Sequence, residues 1–145
     1  MYNKVIVAID FSDSSQHVLD RAKELVGNDL EKLELIHVVE PIPTVWGMES
    51  YTLDPIELQN IILESSSQNL AEVGERNNID RARQHTLLGP VAEKIRELQD
   101  EIGADAIVIG SHGHSGWKLM LGSTATSLLH GATVDVVTVF IKESS

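Results

Sequence analysis

The sequence contains no cysteine among its 145 residues, and it has only two residues each of Trp, Tyr and Phe. The absence of cysteine excludes disulfides, thiolate catalysis and zinc sites built on sulfur. Cations are scarce as well, because 11 Lys and Arg stand against 22 Asp and Glu, for a formal net charge of −11. This acidity disfavours nucleic acid and anionic membrane surfaces as main partners, since both attract basic proteins.

Long apolar runs are also missing. No stretch approaches the roughly 18 to 20 residues that span a bilayer. The start, Tyr2-Asn3-Lys4 followed at once by Val5 to Ile9, lacks the features of a secretory signal peptide. We therefore expect a cytoplasmic protein that does not span a membrane, and the length and 42% hydrophobic content fit a single domain over residues 1–145.

What the sequence does contain is a series of short apolar runs that predict buried strands. These runs cover Lys4 to Ile9, Leu33 to Val39, Asp105 to Gly110 and Val134 to Ile141. The segment Arg81 to Leu88 is polar at most positions, so it predicts a strand at or near a sheet edge.

Helical spacing of apolar residues lies between these strands. We predict one helix capped by Ser12 and reaching Gly27, one that begins at Asp54-Pro55 and runs towards Gly74, and one from Gly89-Pro90 to Gly103. A short helix is also expected before the last strand. Strands that alternate with helices predict an α/β fold with a mostly parallel sheet and helices on both faces.

Two strand ends are candidates for a ligand site, because open parallel sheets bind ligands beyond the carboxyl ends of their strands. Asp10 ends the first strand, and Gly110 opens a glycine-rich segment that reaches Gly131. Glycines let the backbone approach a ligand and form an anion-binding concavity. Ser123 and Thr124 stand at the predicted start of a helix, which also favours a phosphate. The segment therefore predicts a phosphate-binding loop.

Other phosphate and hydrolase motifs are absent from the sequence. There is no G-x-x-x-x-G-K-[ST] segment and no G-x-G-x-x-G after the first strand, which excludes a P-loop and a dinucleotide-binding motif. Trp117 stands where the G-x-S-x-G pattern of a serine hydrolase needs glycine. Lys118 is the only basic side chain near the loop centre, and His112 and His114 are the only candidate bases there. We therefore assign no catalytic residue and expect at most slow hydrolysis of a bound nucleotide.

Four motifs in order along the chain resemble the universal stress protein family. They are Lys4 to Asp10 with Ser12, Leu35 to Val38, Asp105 to Gly113, and Gly122 to Ala125. The resemblance implies a three-layer, Rossmann-like α/β sandwich of the adenine nucleotide alpha hydrolase type, with a five-stranded parallel sheet of order 3-2-1-4-5. It also implies a homodimer through the last strand, Val134 to Ile141. Members with the pattern G-x-x-G, a spacer and G-[ST] typically bind ATP.

The resemblance also implies roles for individual residues. The adenine and ribose would lie near Ala8, Ile9, Asp10 and Val38. The phosphates, with a Mg or Mn ion held through them alone, would lie on the loop, on residues Gly110, Ser111, His112, Gly113, His114, Ser115, Gly116, Gly122, Ser123, Thr124 and Ala125. From the residues alone, capping of the next helix and contact with a ribose are equally good interpretations of Asp10. No dedicated metal site is expected at His112 and His114, and His37 is interpreted as a hydrogen-bonded core residue.

The loop departs from the family pattern at one point. Eight residues separate Gly113 from Gly122, one fewer than in the form most firmly associated with ATP. Our hypothesis is a cytoplasmic, homodimeric stress-response protein that binds ATP as a regulatory ligand read by a protein partner. Pairing of dimers into tetramers stays open. The alternative is a nucleotide-free dimerisation and interaction module of the same family.

Overall fold

Strands and helices alternate along the chain. The computed structural model describes residues 1–41, 54–111 and 124–141, with residues 124 and 125 described by their backbone alone. The strands are β1 (Val5–Ala8), β2 (Leu33–Val39), β3 (Gln84–Leu88), β4 (Ala106–Gly110) and β5 (Asp135–Val139). The helices of these ranges are α1 (Ser15–Leu25), α2 (Pro55–Asn77), α3 (Val91–Ile102) and α4 (Thr124–His130). Single 3₁₀ turns, Leu30–Lys32 and Arg81–Arg83, precede β2 and β3.

The five strands form one parallel sheet in the order β3-β2-β1-β4-β5, which confirms the predicted α/β architecture. The central strand β1 pairs with β2 on one side and with β4 on the other. Val5 lies opposite both Leu33 and Ala106. Because the strand order reverses at β1, the carboxyl end of this strand is the topological switch point of the sheet.

Side chains of β1 point alternately to the two faces of the sheet, and both faces are covered. Val5 and Val7 pack with residues of α1 and α2, whereas Ile6 and Ala8 pack with residues of α3 and α4. Parallel strands buried on both faces read as continuous apolar runs, which explains the unbroken Val5 to Ile9 sequence. The result is three layers, with helices on both faces of the sheet.

The predicted polar strand lies at an edge of the sheet, as expected. Strand β3 is an edge strand, and all of its residues are half-buried. It is shorter than the segment Arg81 to Leu88 that we predicted, since Arg81–Arg83 forms a 3₁₀ turn instead. The turn is closed by a hydrogen bond from the Arg83 N–H to the Asp80 carbonyl, at 2.9 Å between N and O.

The start of α1 differs from the prediction, whereas its end at Gly27 is as predicted. Ser12 does not cap this helix, which begins at Ser15 with Ser14 in the N-cap position. Ser12 instead lies in a turn held by Asp10. The helix ends at Leu25, and Gly27 follows with a φ of +63°.

The start of α2 is as predicted. The Asp54 carboxylate accepts a hydrogen bond from the Ile56 N–H at 3.0 Å, and Pro55 occupies the first turn. The helix does not end at Gly74 but continues to Asn77, where Asn78 with a φ of +58° terminates it. Gly74 allows a close approach rather than a helix end, because a Cβ there would lie 2.8 Å from the Ile79 carbonyl oxygen.

Helix α3 begins and ends where the sequence indicated. Pro90 is its N-cap residue, and Gly103 ends it in the left-handed conformation with a φ of +70°. No helix within the described ranges is long and apolar enough to cross a bilayer.

Candidate functional site

Asp10 organises the corner where the chain leaves β1 and enters α1. Its Oδ1 atom accepts hydrogen bonds from the Ser12 N–H at 3.0 Å, from the Ser12 hydroxyl at 2.7 Å and from the Ser15 hydroxyl at 2.8 Å. The carboxylate thus anchors the turn that starts α1. The N-cap position of α1 is held by Ser14, so the interpretation of Asp10 as the cap of this helix was wrong: Asp10 anchors the turn before the helix, and this role does not exclude contact with a ligand.

Phe11, the next residue, has an unusual backbone conformation. Its φ is +62°, and the other non-glycine residues with positive φ in the described ranges are Asn28 and Asn78. Asparagine tolerates the left-handed region, whereas a residue such as Phe pays about 1 to 2 kcal/mol to adopt it. Such strain persists only where surrounding contacts hold it, and it is frequent at binding sites.

His37 of β2 provides contacts that hold this corner. Its Nδ1 atom lies 2.6 Å from the Ile9 carbonyl oxygen. Its ring packs against the Phe11 ring, with centroids 4.3 Å apart and planes tilted by 33°. His37 is hydrogen-bonded as predicted, but it is half-buried at the end of β2 and does not lie in the core. Its contact with the end of β1 could not be predicted, because the two residues are far apart in sequence.

Burial lowers the pKa of His37, and this effect outweighs the hydrogen bond to Ile9 and the charge of Asp10, which both raise it. The imidazole is therefore neutral near neutral pH. A carbonyl oxygen can only accept, so the short contact requires the tautomer with its proton on Nδ1. His37 donates that proton to Ile9.

Three of the residues predicted to contact the adenine and ribose lie in the core. The side chains of Ala8, Ile9 and Val38 are buried. Only their backbone groups are thus available to a ligand at the carboxyl end of the strands. The Ile9 N–H donates to the Ile36 carbonyl at 2.8 Å, which continues the pairing of β1 with β2 one residue beyond β1 itself.

The end of β4 is tied to β5 by Ser111. The Ser111 N–H donates to the Val139 carbonyl, and its hydroxyl oxygen accepts from the Ile141 N–H, each at 2.8 Å. The Ser111 side chain is buried, so its position is set by the strand pairing. Gly110, also a predicted site residue, lies opposite Val139 in the sheet.

The remaining predicted phosphate residues are only partly within the structure. The predictions for His112, Gly113, His114, Ser115, Gly116, Gly122 and Ser123 lie outside the described residues. Thr124 and Ala125 form the first turn of α4. Among the residues that the structure describes, no group of three or more His, Asp or Glu is placed to hold a metal ion.

Sequence reasoning missed Phe11, and it gave Ser12 a different role. A sequence signal for the corner was present in Asp10-Phe-Ser-Asp-Ser-Ser15, since short hydroxyl and carboxyl side chains after a strand favour a local hydrogen-bonded turn. Nothing local identified Phe11 as the residue with positive φ, because aromatic residues rarely adopt it.

The fold and this corner define a class of protein. The chain is a doubly wound, parallel α/β protein whose candidate ligand crevice lies at the switch point beside Asp10, where the ends of β1, β2 and β4 meet.

Comparison with known proteins identifies the family. Residues 1–139 match the model of the universal stress protein family. Universal stress protein A homolog 1 of Coxiella burnetii (strain RSA 493 / Nine Mile phase I) is 37% identical over 142 residues, which cover 98% of this chain and 99% of that protein. The chain therefore belongs to the universal stress protein family.

Solved structures show the same fold. Hypothetical protein MJ0577, whose structure was used to assign its biochemical function, superposes with a TM-score of 0.77 at 24% identity and covers 99% of each chain. A universal stress protein solved in complex with cAMP has a TM-score of 0.59 at 24% identity, covering 96% of this chain and 97% of its own.

Proposed function

We propose that this protein binds ATP, together with a divalent metal ion, as a regulatory ligand in the crevice at the carboxyl end of β1. The observation that supports this most directly is the pairing of β1 with β4. This pairing places Asp10 and Gly110 at the same carboxyl end of the sheet, and Gly110 is where the glycine-rich loop begins. A carboxylate and a glycine-rich anion-binding loop suit the two ends of a nucleotide.

In this proposal, each part of the ligand meets a different kind of group. Backbone groups of Val38 contact the adenine, because its side chain is buried. Ile9 lines the site only, since its N–H is engaged by Ile36 and its carbonyl by His37. Asp10 accepts from the ribose hydroxyls, and the loop from Gly110 to Thr124 holds the phosphates. The metal ion, Mg or Mn, is held through the phosphates.

A relative supports the type of ligand. The universal stress protein solved with cAMP shows that a protein with this fold accommodates an adenine nucleotide. Because that protein is 24% identical, the comparison concerns the fold, and ATP binding by this chain is the proposal. We assign no catalytic residue and expect any hydrolysis of ATP to be slow.

We further propose a homodimer formed through β5, in which nucleotide occupancy is read by a protein partner. Strand β5 is an edge of the sheet, and the side chain of Phe140 directly after it is 73% exposed. A groove of about 830 Å³ lies between α1 and this strand, with Leu25 and Val137 in its lining. An open strand edge with apolar neighbours pairs readily with another strand.

Calorimetry on stripped protein tests the nucleotide proposal. The protein is purified, denatured to identify any released ligand by chromatography, refolded free of nucleotide and titrated with ATP and Mg. We expect binding that is lost in Gly113→Val, because a branched side chain blocks close approach of the phosphates. Gly131→Val is the matched control, since Gly131 is exposed and its nearest neighbour is the flexible Arg96 side chain.

The alternative function is a nucleotide-free interaction module. The eight-residue spacer between Gly113 and Gly122 favours it, because a shorter loop offers fewer groups that can contact the phosphates. Absence of heat with millimolar ATP and Mg, together with no ligand released from the purified protein, would overturn the nucleotide proposal and leave this alternative.

A further inference from the structure

We propose that His37 and Phe11 form a clamp that positions Asp10 for the nucleotide. The clamp is defined as these two rings together with the hydrogen bond from His37 to the Ile9 carbonyl. The inference rests on the proposed function and adds a positioning role for two residues that, in this proposal, do not themselves contact the ligand.

The first part of the clamp acts on the residue before Asp10. The Ile9 N–H still pairs with the Ile36 carbonyl of β2, but the chain turns away from the sheet directly afterwards. At this turn the Ile9 carbonyl oxygen accepts from Nδ1 of His37 at 2.6 Å. The His37 side chain thus fixes the orientation of the peptide group that joins Ile9 to Asp10.

The second part acts on the residue after Asp10. Phe11 has a φ of +62°, a conformation that costs free energy for a side chain of this kind. Its ring packs on the His37 ring at a centroid distance of 4.3 Å. Aromatic packing of this geometry is attractive, so the contact offsets the backbone strain and keeps Phe11 in place.

Asp10 is therefore held on both sides, and its own side chain is anchored as well. Ser12 and Ser15 bind Oδ1, which leaves the carboxylate a single orientation. A group that is already oriented loses less conformational freedom when its ligand arrives, so binding is tighter. This gives the strained Phe11 backbone a function, since relaxing it would free the corner.

The histidine variants test the first part of the clamp. In His37→Asn the amide nitrogen is as many bonds from the backbone as Nδ1, so it can still donate to Ile9. In His37→Leu the donor is lost while much of the volume is kept. The matched control is His85→Leu, because His85 is a half-buried strand histidine on β3, next to β2, whose Nε2 contacts Glu34 at 2.8 Å and not the corner.

We expect His37→Leu to raise the Kd for ATP and Mg by about five- to tenfold, the change expected where this part-buried hydrogen bond serves to orient the corner for the ligand. His37→Asn keeps the donor to Ile9 but loses the ring that packs on Phe11, so it should raise the Kd by less than His37→Leu does. His85→Leu should lower Tm but leave the Kd unchanged. If His37→Leu binds like the wild type, or if His85→Leu weakens binding equally, the clamp is overturned while the nucleotide proposal stands. A wild-type protein that binds no ATP overturns both.

Phe11→Gly tests the second part. Glycine adopts positive φ without strain, but the variant also removes a half-buried ring that packs against the core, so Tm should fall. We expect its Kd, measured well below Tm, to rise several-fold, whereas Asn78→Gly, at a φ of +58° after α2, should leave the Kd unchanged. Nitrogen NMR of the nucleotide-free protein gives an independent measurement. It should show the proton of His37 on Nδ1, and a proton on Nε2 alone would contradict the clamp.

Discussion

At the scale of single residues, His37 links proton binding to the stability of the fold. Burial lowers its pKa below the ordinary value of 6.5, so the unfolded chain binds a proton more readily than the folded one. The stabilisation from the neutral ring is complete above the unfolded pKa and is lost as the pH falls from about 6.5 towards the folded pKa. Thermal unfolding followed between about pH 5 and pH 8 should therefore show Tm falling with acidification in this window.

Other groups also titrate there, so the variant His37→Asn supplies the comparison. Its amide does not ionise, and the difference in Tm between wild type and variant should shrink as the pH falls below about 6.5. A difference that is constant across the window would contradict the assigned role of His37.

Asp105 makes the stability of the fold depend on pH in a second, more acidic range. Partial burial acts to raise its pKa, but hydrogen bonds from the Asn3 N–H and the Lys4 N–H, at 2.9 and 3.0 Å, lower it by more, and the net pKa is lowered. The stabilisation is present above the unfolded pKa of about 3.9 and is lost as the pH falls through the folded value. Circular dichroism during acid titration should show Asp105→Asn losing the part of the transition that lies below about pH 4. An unchanged acid transition would show that the hydrogen bonds from Asn3 and Lys4 to Asp105 contribute nothing to stability.

At the scale of elements, Gly74 connects helix α2 to strand β3. Replacing glycine with alanine inside a helix ordinarily gains about 1 kcal/mol of stability. Here the added Cβ would lie 2.0 Å from Nε2 of Gln84 and 2.8 Å from the Ile79 carbonyl oxygen, so the backbone must shift. We expect Gly74→Ala to be destabilised in urea unfolding, by about 1 to 3 kcal/mol.

The exposed position Ser65 in the same helix offers a control. Ser65→Ala should be neutral or slightly stabilising, because only helix propensity changes there. If both variants gain stability, the packing of α2 on β3 is looser than these distances indicate.

Strand β5 makes a prediction about assembly. Phe140 is largely exposed in the single chain, so Phe140→Asp should have little effect on folding. In a dimer formed through β5 the same carboxylate would be buried without a partner, which is costly. Light scattering should give the mass of two chains for the wild type and of one chain for Phe140→Asp.

Ile56 is also highly exposed, and its helix α2 packs on β2 and β3, at the end of the sheet away from β5. Ile56→Asp should therefore leave the mass unchanged. A wild-type protein with the mass of one chain, or a Phe140→Asp variant that stays dimeric, would place the interface elsewhere.

At the scale of the whole molecule, ligand binding should appear as added stability. A ligand that binds only the folded state contributes about 2.7 kcal/mol at a hundredfold excess over Kd. For a domain of this size that corresponds to a rise in Tm of roughly 5 to 10 °C. Thermal unfolding with ATP and Mg should show this rise, and Mg alone should not, because in the proposal the metal is held through the phosphates.

A rise in Tm that persists in Gly113→Val would mean that the nucleotide binds away from the glycine-rich loop. GTP at the same concentration measures selectivity, since the proposed adenine contacts are to backbone groups at Val38. Equal shifts for ATP and GTP would indicate that the base is not read there.

Much of the architecture could be predicted because its causes are local. Apolar runs such as Val5 to Ile9 indicate strands buried on both faces, and Asp54-Pro55 and Gly103 mark helix ends through their own backbone chemistry. The polar character of the third strand likewise indicated an edge. These signals need no knowledge of distant residues, so the sequence by itself determined the alternating α/β pattern and indicated the two strand ends that are candidates for a ligand site.

Tertiary structure decided what depends on contacts between distant segments. Ser12 does not cap α1, because the Asp10 carboxylate engages both its N–H and its hydroxyl. Gly74 does not end α2: Asn78 in the left-handed conformation does, and Gly74 instead lies close to the Gln84 side chain of β3. The contact of His37 with Ile9, 28 residues away in sequence, exists only once β1 and β2 pair in register. That pairing, and no local preference, holds Phe11 at positive φ and gives the corner its shape.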